Sequence, residues 1–148
     1  MQYRRLGTTN LDLSIIGLGT MTFGEQTPES EAYKQMDYAN ERGINFFDTA
    51  EMYPIYPKKE TCGKTEEIIG KWLKNKKNRN KTVIASKIVS NHPEGIGATK
   101  LKWIRRGGEN LRFDKENLVK AVEGSLKRLQ TDYIDLYQLH WPERQVGM

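Results

Sequence analysis

The chain has 148 residues, 36% of them apolar and 29% charged, with a formal net charge of +5. That composition fits an ordinary globular protein with a sizeable core. No apolar run reaches the roughly 20 residues of a membrane helix, the opening MQYRRLG lacks a secretory apolar stretch, and Cys62 is the single cysteine, so a cytoplasmic protein without disulfides is expected.

Strand-like apolar runs alternate with helix-period segments, the pattern of an α/β protein. Residues 3–14 read as a hairpin around the turn residues Thr8, Thr9 and Asn10, and residues 15–19 as a first buried strand. Thr27 is placed to cap a helix with Pro28 at its first position, Ala32, Met36 and Ala39 along its apolar face, and Gly43 at its end. A second strand over 44–48 leads into a loop rich in Pro and Tyr. The spacing of Ile68, Ile69, Trp72 and Leu73 predicts a helix over 64–76, followed by a third strand over 82–87. Residues 88–113 form a long, Gly-rich, basic loop, and such loops usually have a function or are disordered. Asp114 then caps a helix striped by Leu118, Ala121, Val122, Ser125, Leu126 and Leu129, and a fourth strand follows over 133–140.

The basic residues gather in KNKKNRNK at 74–81 and KLKWIRR at 100–106. The first suits a solvated helix end and the second, with Trp103, a mobile loop. No aromatic interleaving or recognised module supports a nucleic-acid partner. Cys62 and His92 read as bystanders in their loops.

A hairpin followed by βα, βα, βα and β implies a parallel sheet, either open and doubly wound or closed into a barrel. After the first strand, residues 17–22 read Gly-Leu-Gly-Thr-Met-Thr and lack the third glycine of the phosphate-binding fingerprint. A barrel of the TIM type typically needs about 250 residues and eight strands, so this chain would hold about the first four strands. Both architectures put their chemistry at the carboxyl ends of the strands. There the second strand ends in Asp48 with Tyr53 beyond it, the third in Lys87 and the fourth in His140. Each alone has an ordinary explanation, but four ionisable groups arriving at one rim point to a catalytic site.

These residues carry a resemblance. Residues 43–53 (GINFFDTAEMY), Lys87 within IASK, SLKRL with DYIDLYQLHWP, and GLGTMTFG at 17–24 together resemble the strand motifs of the aldo-keto reductase family, nearest in wording to its bacterial tas-type branch. The resemblance implies an NAD(P)H-dependent oxidoreductase that reduces small aldehydes and ketones to alcohols, with no metal. Tyr53 would be the general acid, Lys87 its neighbour, Asp48 the partner of Lys87 and of the nicotinamide ribose, and His140 the group orienting the carbonyl. Gly19, Thr20 and Met21 would lie against the cofactor, NADPH or NADH, and residues 88–113 would help form the substrate entrance. The family's remaining βα units, which grip most of the cofactor, would lie beyond this chain. A half-barrel would expose open sheet edges and so favour self-association. The runner-up reading is an inactive fragment, or a binding or regulatory subunit that keeps the half-barrel.

Overall fold

The computed structural model describes residues 1–90, 103–105 and 111–142. Strands β1 (Tyr3–Arg5) and β2 (Asp12–Ser14) form the expected antiparallel hairpin, with Tyr3 opposite Ser14 and Arg5 opposite Asp12. Then come β3 (Gly17–Gly19), α1 (Glu29–Glu41), β4 (Phe46–Asp48), α2 (Lys64–Lys76), β5 (Val83–Ile88), α3 (Lys115–Leu129) and β6 (Leu136–Leu139). Strands β3, β4, β5 and β6 lie side by side in chain order, and all three pairings are parallel. One helix separates each pair of consecutive strands, as a parallel crossover requires.

Helical periodicity explains the core. Ala32, Met36 and Ala39 of α1 meet Ile68, Ile69, Trp72 and Leu73 of α2 over Phe47, Ile84 and Leu129. The Trp72 indole N–H donates to Asp37 Oδ1 at 2.8 Å, so the ring is buried with its polar atom satisfied. Helices α2 and α3 approach so closely at Gly70 that a Cβ there would meet Arg128 O at 2.4 Å. Gly43, at φ +79°, turns the chain from α1 towards β4.

The hairpin closes the amino end of the sheet, opposite the rim that carries the polar groups. Asn45 Oδ1 accepts from Ser14 N at 2.8 Å, its Nδ2 donates to Asp12 O at 2.9 Å, and Tyr3 Oη donates to Gly43 O at 2.8 Å. At the same end Arg79 donates to Asp135 Oδ2 at 2.7 Å and lies 3.7 Å from the centre of the Tyr133 ring. Part of the first basic run is thus structural rather than solvated.

Three sequence expectations need correction. Thr27 does not cap α1, because its hydroxyl is bonded to Thr22 Oγ1 at 3.0 Å; the helix starts one residue later, after Pro28, with no side-chain cap. Residues 15–19 are not a buried strand: only Gly17–Gly19 pair, and Ile15 and Ile16 are more than half exposed. They flank an edge strand that has no neighbour on its outer side among the described residues. Leu139, on β6 at the other edge, is likewise 58% exposed. The fourth strand is shorter than expected, four residues in place of eight. Asp114 does cap α3, accepting from Asn117 N at 2.9 Å. Most of the long basic loop, including His92, lies outside the described residues.

Candidate active site

Parallel pairing puts Asp48 level with Ala85, and Lys87 level with Gln138. Alternation along a strand then sends Asp48, Lys87 and His140 to one face of the sheet, while Phe47, Ile84 and Ser86 face the helices. Lys87 stands two residues above the level of Asp48, and its long side chain reaches back. Its ammonium donates to Asp48 Oδ2 and to Thr49 O, each at 2.7 Å, and lies 3.4 Å from the Tyr53 hydroxyl. His140 follows β6, tied by its backbone N–H to Ile88 O at 3.0 Å, and its ring meets Tyr53 edge-on with centroids 5.7 Å apart. All four residues singled out in the sequence therefore come together at one rim. Tyr53 and Lys87 are buried at 7% and 9% exposure, whereas the Asp48 side chain is 34% exposed and open to a ligand. Met52, Val89 and Leu111, with Trp103, Ile104 and Trp141, form an apolar collar around Tyr53.

The residues expected beside the cofactor divide in two. Thr20 is fully buried and donates its hydroxyl to Asp48 O at 2.8 Å, so it holds the strand end rather than facing outward. Gly19 pairs with Asp48, and nothing lies within 4 Å of where its Cβ would be; Met21 beyond it is half exposed. Among the described residues no group of three His, Cys, Asp or Glu side chains could hold a metal ion. No helix among them is long and apolar enough to cross a membrane.

Burial pushes the His140 imidazole down to about 4; the Lys87 ammonium acts in the same direction and Asp48 opposes it. The ring is neutral at physiological pH and offers one N–H donor. Burial also raises the Glu51 carboxyl to about 7, against Arg105 and the Val89 N–H, which favour the charged form. These shifts affect stability with opposite sign. Between pH 6.5 and about 4 the unfolded chain holds the extra His140 proton, so stability falls as pH drops. Between pH 4.5 and about 7 the folded chain holds the extra Glu51 proton, so stability falls as pH rises, and the Glu51–Arg105 pair is fully charged only above this window. Urea titrations of His140→Gln and Glu51→Gln should therefore diverge in slope across this overlap. Each lost proton linkage changes the slope by at most about 1.4 kcal/mol per pH unit, less for the partly exposed His140. Parallel slopes in the two variants would contradict the assignment.

A second polar cluster was missed in the sequence. Glu66 of α2, fully buried, accepts from Ser86 Oγ at 2.6 Å and from Arg128 Nε at 2.7 Å, while Glu51 pairs with Arg105. One signal for it was legible: Glu66 falls on the helix stripe with Ile69 and Leu73, three and seven residues on. Arg105 belongs to the run read as a loop. Burial under this cluster pushes the Cys62 thiol up to about 12, consistent with an inert cysteine.

The geometry has a counterpart among known proteins. Residues 15–148 match the model of the aldo/keto reductase family. The chain belongs to the aldo/keto reductase family. Protein tas of Escherichia coli strain K12 is 49% identical over 144 residues, a match that covers 97% of this chain and 39% of that protein. The uncharacterized oxidoreductase YrpG of Bacillus subtilis strain 168 is 41% identical, with 98% of this chain and 41% of that protein covered. In three dimensions, an aldo-keto reductase from Bacillus halodurans in its holo form superposes with a TM-score of 0.68 at 38% identity, over 94% of this chain and 40% of that one. The chain spans about two-fifths of the length of these relatives. Its four-stranded sheet is the corresponding part of an aldo/keto reductase barrel, with the hairpin at its amino end.

Proposed function

We propose that this chain carries the proton-transfer centre of an NAD(P)H-dependent carbonyl reductase. The observation that supports it best is the convergence of Lys87 Nζ on Asp48 Oδ2 and the Tyr53 hydroxyl, with the phenol and the ammonium buried and the Asp48 side chain the more exposed. In this reading NADPH or NADH, when bound, supplies the hydride, since no side chain can. Tyr53 gives its phenolic proton to the carbonyl oxygen as negative charge grows there. The Lys87 ammonium attracts the phenolate oxygen left behind, and Asp48 holds and aims that ammonium. Neutral His140 donates its N–H to the same oxygen and fixes the carbonyl's direction. The open ground at Gly19, beside the reachable Asp48 carboxylate and the exposed Met21, suits a flat ring and a ribose hydroxyl. Thr20 supports that ground from beneath. The substrate is a small aldehyde or ketone lodged against the apolar collar, and the setting is cytoplasmic.

The test is oxidation of NADPH and NADH with a panel of aldehydes and ketones, for the parent chain and Asp48→Asn. Reduction by the parent, and at least a tenfold loss in the variant, is expected. Equal rates in the two would remove Asp48 from the mechanism. A second reading is an inactive or binding subunit that self-associates through the apolar side chains exposed at the sheet's edges among the described residues, Ile15, Ile16 and Leu139. It expects no turnover with any carbonyl and a dimer or larger species in size-exclusion chromatography.

A further inference from the structure

The ladder between β4 and β5 continues past the end of β4. Thr49 N donates to Ala85 O at 2.9 Å and Glu51 N to Lys87 O at 3.2 Å, successive rungs of a parallel pairing. The next rung would run from Val89 N to the backbone carbonyl of Glu51. Here the chain turns instead, which is what lets Tyr53 come back over Lys87, and Glu51 O accepts from Cys62 Sγ at 3.5 Å. The Glu51 carboxylate takes the rung: Oε1 accepts from Val89 N at 2.6 Å. Arg105 closes a ring around it, donating Nη1 to that same oxygen and Nη2 to Val89 O at 2.9 Å. Glu51 and Arg105 are 1% and 8% exposed.

A buried ion pair is often no more stabilising than an apolar pair of equal volume, so stability alone does not account for two charges in so dry a place. Direction does. We infer that Glu51, held by Arg105, is a positioning residue whose side chain replaces a missing backbone acceptor, fastens the Tyr53 turn to the end of β5 and so sets the approach of the phenol to the Lys87 ammonium. Its carboxylate bonds neither of those two side chains among the described residues; it acts through the backbone on either side of them. The same ring holds Arg105, and its neighbours Trp103 and Ile104 pack against the apolar cluster that contains Tyr53. The inference rests on the Tyr53–Lys87 pairing read above as the proton-transfer centre.

The test uses the whole chain with its seven tyrosines labelled at Cζ with carbon-13, the Tyr53 signal being assigned by its loss in Tyr53→Phe. In the parent, Lys87→Met should displace the Tyr53 signal. In a Glu51→Leu/Arg105→Met background, which leaves no unpaired buried charge, the same displacement should fall below a third of its parent size. Glu51→Gln keeps an oxygen for the Val89 N–H and should retain most of it. Arg105→Gln leaves the Val89 rung but takes the cation from the buried Glu51 carboxylate, loosening the ring, and should give an intermediate value.

Full displacement in the double variant or in Arg105→Gln would overturn the inference, as would equal losses in the Leu/Met and Gln backgrounds. No displacement in the parent would overturn both the Tyr53–Lys87 pairing and this inference. A parent displacement without carbonyl turnover would sink only the proposed reaction.

Discussion

Replacing Tyr53 by Phe is expected to slow carbonyl reduction by about 10²–10⁴-fold, the usual worth of a positioned proton donor. The variant removes one oxygen and leaves the ring in its apolar collar against Met52, Val89 and Leu111. Lys87 keeps its two 2.7 Å bonds, to Asp48 and Thr49 O, so no buried charge loses its partners. The fold should therefore survive, and a urea midpoint close to the parent's separates lost chemistry from lost structure. A residual rate in Tyr53→Phe above a tenth of the parent's would mean that another group, or water, delivers the proton. His140 is the first candidate to exclude. With its ring held near 4, any imidazolium at His140 is scarce but grows about tenfold per pH unit, so a residual rate that climbs as the assay is acidified from pH 8 to 6 would implicate it, and a flat rate is expected.

The largest loss of stability should come from Arg128→Met. Arg128 Nε bonds Glu66 Oε2 at 2.7 Å, and Glu66 has no exposed surface. Removing one partner of a buried pair typically costs about 3–5 kcal/mol, because the other charge is left in a dry site. Ser86 donates to the remaining Glu66 oxygen and offsets part of that, so the lower end of the range is expected in urea unfolding. The charge relation gives a sharper prediction. Glu66→Leu/Arg128→Met removes both charges and should recover most of the loss. A double variant as unstable as the single would show that the damage comes from lost packing, for Arg128 also fills the space beside Gly63 and Gly124.

How far the sequence foretold this depends on which physics each element obeys. Helix α2 was legible to the residue, since Ile68, Ile69, Trp72 and Leu73 repeat at the helical period and basic side chains gather in its last turn. Asp114 was legible because an N-cap is a local bond. The meeting of Asp48, Tyr53, Lys87 and His140 was legible because parallel strands in chain order bring their carboxyl ends to one rim. Thr27 failed for the opposite reason: its hydroxyl had a competing partner, Thr22, which no local propensity reveals. Ile15 and Ile16 looked like core because they are apolar, but burial depends on what lies across the edge of the sheet. The Glu51–Arg105 pair joins residues 54 apart through a loop, and no periodicity spans that distance.

The stagger of the strands limits how this site can change. From Asp48 to Lys87 to His140, each polar group stands two residues further up than the strand before it. Losing a single residue from β5 would turn Lys87 towards the helices and bring Ser86 or Ile88 onto the reactive face. Losing two would keep the lysine on its face but lower it by about 7 Å, beyond reach of the phenol. Length changes on this staircase can thus be absorbed only in the loops between its steps, where variation in pocket shape is to be sought.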